Sequence, residues 1–276
     1  MVEIQISNAP RRNRNGYDGE LVETIYADDA DFITTEEDQN QKLNNIIKDI
    51  LNEDNLHVNE NKTELTIIER KAERNTEEWR NVKKLGSLLG DSEDVVRRKQ
   101  LAIVANKNIN QLWIRKDKIS LKVRLKIYNS LVKPILLYNS GTWGISKSEE
   151  DSLNAFHRQQ QRYILKIHHP HHISNENIYK NCNEIPISLV VLNSRWRLFG
   201  HELRGGRDTP SFKAMLYYFS KSDLSKYRGR PRMTLPYKLN TDLKITKAMD
   251  DEFYTKYGVK ELKSEIDLEK LCLSLR

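Results

Sequence analysis

From Ser92 to Leu203 apolar residues recur at every third or fourth position, and that spacing leaves this half of the chain few ways to fold. Ala102, Ala105, Ile109 and Leu112 line one face of a helix spanning about Ser92 to Arg115. Ser120 can cap a second helix, carrying Leu121, Leu125, Tyr128, Val132 and Ile135, which Pro134 should kink or close. Ser146 and Glu149 form a capping-box pattern ahead of Leu153, Phe156, Gln160, Tyr163 and Ile167. A last helix carries Leu189, Leu192, Trp196, Phe199 and Leu203 and stops at Gly205-Gly206. One-faced stripes of this kind are buried by packing helix on helix, so the aromatic rings read as bundle core rather than as stacking platforms.

Before Ser92 the pattern is different. Leu21-Val22 and Ile25-Tyr26 precede Asp28-Asp29, and Phe32-Ile33 follow it, as in a tight β-hairpin with the acidic pair at its turn. Thr34 or Thr35 can cap a helix that has Glu36, Glu37 and Asp38 in its first turn. Its apolar face is Leu43, Ile46, Ile47, Ile50 and Leu51. A strand over Leu65–Ile68 and a short one within Val82–Gly90 complete an α+β half. Residues 1–20, with Arg11-Arg12, Arg14 and the turn Asp18-Gly19, read as a flexible basic arm.

Charge divides the chain along the same boundary. Residues 1–94 hold 12 Lys and Arg against 22 Asp and Glu, whereas residues 95–232 hold 26 against 9. A sustained basic excess suits a polyanion such as nucleic acid, and the alternative is a set of solvated Lys-rich helix faces. In the basic stretch 225–236, Arg228, Arg230 and Arg232 alternate with Gly and Pro, which keeps them extended and able to follow a phosphate backbone. Two adjacent carboxylates at a bend, Asp28 and Asp29, can serve a hard cation such as Mg²⁺ or form an acidic surface turn. Four histidines flank Pro170 in His168–His172 without a nearby Cys or acidic ligand, and they read as a loop rather than a zinc site. Cys182 and Cys272 lack CxxC spacing and read as idle thiols of a reducing compartment. With no apolar run long enough to cross a membrane and no leader, an intracellular, non-secreted protein is expected, in nucleus or cytoplasm.

Several ordered motifs resemble the C-terminal part of reverse transcriptases of non-LTR (LINE-like) retrotransposons. Ile25-Tyr26-Ala27-Asp28-Asp29 resembles the palm's metal-binding motif, Asn59–Thr63 the motif after it, and Lys84-Leu85-Gly86-Ser87 the primer-grip hairpin. Ser120-Leu121-Lys122, Tyr128–Val132, Pro134–Tyr138 and Gly141-Thr142-Trp143 resemble the helical thumb and its continuation. Arg195–Arg204 and Arg228–Arg232 are similar to segments beyond it. The resemblance implies a partial palm over residues 21–91, thumb-like helices over 92–145, a post-thumb helical region over 146–224, and a basic linker and tail over 225–276. It implies RNA-directed DNA synthesis on an RNA template and a DNA primer or target. In that chemistry Asp28 and Asp29 hold Mg²⁺, Lys62 attends the leaving pyrophosphate, and Leu85 and Gly86 position the primer end. Lys84, Arg195, Arg197, Arg228, Arg230 and Arg232 would contact nucleic acid. The family's earlier palm aspartate and its fingers have no counterpart before Asp28, so the expectation is an inactive fragment that self-associates through its incomplete palm. The alternatives are a non-catalytic RNA- or DNA-binding module and a helical interaction relic.

Overall fold

The computed structural model describes residues 2–6, 23–26, 29–34, 37–68, 78–109, 119–204, 209, 211–212, 233–235, 237–239 and 241–242. The fold is α+β, with helices the larger part, and the chain divides into two compact units. One comprises residues 1–84 and 88–90, the other residues 85–87 and 91–276.

The first unit is built on a four-stranded sheet: β1 (Val2–Ile6), β2 (Glu23–Tyr26), β3 (Asp29–Thr34) and β4 (Glu64–Ile68), in the order β2-β3-β1-β4. Antiparallel β2 and β3 are the predicted hairpin, and Tyr26 pairs with Asp29 across it. Helix α1 (Glu37–Glu53) connects β3 to β4 and matches the helix expected there. Its apolar face is only partly covered, since Ile46 and Ile50 stay more than half exposed.

Strand β1 corrects the sequence reading. Residues 2–6 are a central strand, not part of a flexible arm, and β1 runs parallel to both β3 and β4. The local signal is the alternation Val2-Glu3-Ile4-Gln5-Ile6, with β-branched residues at every second position. Residues 7–22 lie outside the described residues.

The second unit packs helices around one core. Helix α2 (Asp91–Asn108) is followed by α3 (Leu121–Ile127), a π-turn over Tyr128–Val132 and α4 (Lys133–Leu136). Then come α5 (Lys147–Leu165), α6 (Asn175–Cys182) and α7 (Ile187–Arg204). Ser120 accepts a hydrogen bond from the Val123 N–H and caps α3 as expected. Ser146 and Glu149 form the full capping box at the head of α5. Pro134 stands in the short last helix, which closes at Leu136 as expected. The wide turn ahead of it, closed by the Lys133 N–H on Tyr128 O, takes up the hydrogen-bond mismatch before Leu136 ends the helix.

Val95, Ala102, Tyr128, Val132, Leu136, Trp143, Leu153, Phe156, Ile164 and Val191 belong to the core of this unit. Two glycines allow close approach. A Cβ on Gly141 would lie 3.0 Å from Ser194 O in α7, and one on Gly144 would lie 3.0 Å from the backbone at Thr234 and Leu235. No helix among the described residues is long and apolar enough to cross a membrane.

Candidate nucleic-acid interface

The acidic hairpin is described on its strands and not at its turn. Asp28 lies outside the described residues, and for Asp29 only the backbone, at the start of β3, is described. Two residues further along β3, Asp31 is ion-paired with Lys84. The Lys84 ammonium, expected on nucleic acid, is thus spent on a carboxylate of its own unit. Among the described residues no three His, Cys, Asp or Glu side chains are grouped to hold a metal ion. Lys62 ends an exposed single turn of 3₁₀ helix, Glu60–Lys62, and Lys48 pairs with Glu60 at 2.8 Å.

The primer-grip-like sequence forms a tight hairpin. Strands β5 (Lys83–Lys84) and β6 (Ser87–Leu88) flank Leu85 and Gly86, which take φ of +44° and +81°. Positive φ at both central residues is the signature of the type I′ turn that joins twisted antiparallel strands. Gly86 adopts it freely, and Leu85 does so at a cost. The Leu85–Ser87 tip is held by side chains of its own helical unit. Arg97 Nη1 donates to Gly86 O at 2.8 Å, and the Arg98 guanidinium donates to Gly86 O and, at 3.0 Å, to Ser87 Oγ. The Tyr138 hydroxyl donates to Leu85 O at 2.7 Å, and the Arg98 guanidinium lies 4.4 Å from the centre of the Tyr138 ring. Buried Asp94 supports this cluster, with Oδ1 3.5 Å from Arg98 Nε and Oδ2 accepting from the Trp143 indole N–H at 3.2 Å.

Arg195 is a correction. It sits in the core of the second unit, pairs with buried Asp242 and donates from Nε to the Trp143 carbonyl at 3.2 Å. A guanidinium with no exposed surface cannot neutralise a phosphate; it joins the Gly141–Trp143 loop to α7 instead. Arg197, two positions on, is exposed. Arg228, Arg230 and Arg232 lie outside the described residues, and so do most residues of the basic linker.

Sequence reasoning missed two buried polar clusters. Lys238 pairs with Glu150 at 2.6 Å and approaches Asp242 at 3.8 Å, so the stretch read as basic linker and tail brings two buried charged side chains onto α5 and α7. Burial pushes the Asp242 carboxyl upward, against the pull of Arg195 and Lys238. In the second cluster, fully buried His157 meets the Tyr128 hydroxyl at Nδ1 and the Gln161 amide at Nε2, both at 2.9 Å. Burial first, then the cations Lys133 and Arg158, lowers the His157 pKa to about 3, although Glu184 lies 4.0 Å away. Lys133 pairs with that carboxylate at 2.6 Å and blunts its effect. The imidazole is therefore neutral. Nearby, burial raises the Cys182 thiol to about 11, far from a reactive thiolate.

No local signal marks these clusters, because each is closed by partners distant in sequence, Tyr128 and His157 at 29 positions and Trp143 and Arg195 at 52. The His168–His172 turn is exposed, with His169 and His172 edge to face at 6.0 Å. Compared with protein-family models, with curated proteins and with solved structures, the chain matches none.

Proposed function

We propose that the chain is a reverse-transcriptase-like protein that binds nucleic acid and does not polymerise it. The observation that carries the binding half is the braced Leu85-Gly86 turn on a helical unit whose residues 95–232 carry 26 basic against 9 acidic side chains. Such a surface attracts phosphate backbones, and a turn held by three side chains is rigid enough to position a chain end. The reverse-transcriptase half is supported by the motif order and by the antiparallel pairing of Tyr26 with Asp29 across β2 and β3.

The non-catalytic half rests on the direction of β1. Two-metal phosphoryl transfer needs carboxylates from separate strands converging on ions about 4 Å apart. Running parallel to β3, β1 places Val2, not a carboxylate, beside Asp31 and Gln5 beside Thr34 at the other end of the strand. Its single carboxylate, on Glu3, belongs to a residue paired with Phe32.

The test has two arms. Affinity for single-stranded RNA is expected to fall roughly tenfold or more between about 50 and 200 mM salt, and flat, negligible binding would end the proposal. Primer extension on an RNA template with Mg²⁺ is expected to give no product from the wild type or from Asp28→Asn. Extension that the variant abolishes would mean that another carboxylate completes the site, and the chain would be a polymerase.

A further inference from the structure

We propose that the exposed face of Tyr138, at the tip that displays Leu85, is a stacking site for an unpaired nucleobase. The inference rests on the nucleic-acid reading above. Arg98 covers one face of the ring from 4.4 Å, and a Cβ on Gly86 would lie 3.7 Å from the ring's Cε1 and hydroxyl oxygen. Tyr138 nevertheless keeps 48% of its surface exposed. The ring is also fixed in place. Its hydroxyl is tied to Leu85 O, and the guanidinium behind it is held by Gly86 O, Ser87 Oγ and Asp94. A pre-positioned ring loses little freedom when a partner stacks on it.

Other aromatic side chains of this unit are used differently. Tyr128, Trp143, Phe156, Trp196 and Phe199 are buried. Leu85 adds 51% exposure to an unfavourable backbone conformation, a combination that turn formation alone does not call for, because Asn or Gly would serve better. An exposed ring and an exposed aliphatic group in so basic a unit suit a base attached to a phosphate chain. Every base offers a π-face, so the site would be tolerant of sequence.

The competing explanation is that Tyr138 only braces the hairpin. Fluorescence anisotropy with the full chain separates the two, using a labelled oligothymidylate and an abasic oligonucleotide of equal length and charge. The wild type is expected to bind the base-bearing strand roughly tenfold more tightly than the abasic one. Tyr138→Phe removes the brace and keeps the ring, and the preference should survive. Tyr138→Leu keeps apolar bulk without the π-face, and the preference for the base-bearing strand should vanish.

Equal wild-type affinity for the two strands, or an undiminished preference in Tyr138→Leu, overturns the stacking site and leaves the nucleic-acid reading intact. Binding of neither strand overturns both and leaves the face to a protein partner. Should Tyr138→Leu fail to fold, a 2-aminopurine strand on the wild type decides: stacking quenches its emission, and undiminished emission of the bound strand overturns the site.

Discussion

Leu85 and Arg195 show how far one residue's role can lie from its sequence appearance. Leu85 occupies the left-handed region at φ +44°, which costs a side chain with a Cβ about 1 kcal/mol. Leu85→Asn gives the turn the Asn-Gly pair that type I′ geometry prefers and removes an exposed aliphatic group. Urea unfolding should show the variant more stable by roughly 0.5–1 kcal/mol, with weaker binding of base-bearing strands. A gain in stability with unchanged binding would separate the strain from function. Arg195 makes the opposite point, since it and Arg197 are expected on nucleic acid and yet Arg195 is a buried ion-pair partner. Arg195→Met leaves Asp242 buried without its principal cation and should cost about 3–5 kcal/mol. Adding Asp242→Leu should recover much of that loss, because the stranded charge goes with it. If the double variant is as unstable as the sum of the singles, the pair is not the anchor described above.

Elements were legible where their signals are local. The Ser120 cap, the Ser146–Glu149 capping box and the antiparallel β2–β3 hairpin all rest on residues within a few positions of one another. What involved distant partners was not legible. The place of β1 between β3 and β4 joins residue 2 to residues 31 and 64, and no period in the sequence encodes that choice. Its own strand signal, five residues long, was outweighed by the arginines that follow. The candidate site was less legible. The Leu85-Gly86 turn comes only from the resemblance, since its residues read as one short strand within Val82–Gly90, and Arg97, Arg98 and Tyr138 reach it across 11 to 53 positions. Because β1 is central, its N–H groups face ladders on both sides, and Ile4→Pro removes a donor where a sheet tolerates proline poorly. Hydrogen exchange should then show lost protection in β3 and β4 and little change in α5 and α7. Unchanged protection in β3 and β4 would exclude a central β1.

Taken as a whole molecule, the helical unit is keyed together by a polar network rather than by apolar packing alone, and this sets how the chain responds to acid. Tyr128 comes from the π-turn, Lys133 from α4, His157 and Gln161 from α5, and Glu184 from the link between α6 and α7. His157 is the titrating member. Its pKa falls from 6.5 when unfolded to about 3 in the fold, because burial and the neighbouring Lys133 and Arg158 oppose a charged imidazole. The unfolded chain therefore binds the proton first. Stability from this group is complete above about pH 6.5 and is lost as pH drops toward 3, by up to about 1.4 kcal/mol per unit. Glu149 adds a loss of the same sign at lower pH. Burial opposes its charge, but hydrogen bonds from Ser146 and Ser92 and the Lys99 ammonium outweigh that and hold its pKa below 4.5. Acid unfolding should accordingly begin near pH 6, well above the carboxylate range. Urea titrations of the wild type and of His157→Gln across pH 7.5 to 4.5 test this. The variant keeps an amide in the cluster but cannot be protonated, so it should be less stable at pH 7.5 by about 1 kcal/mol. It should also lose less stability than the wild type as pH falls, and the two curves should converge or cross. Parallel curves would mean that His157 is not the group through which acid opens the helical unit.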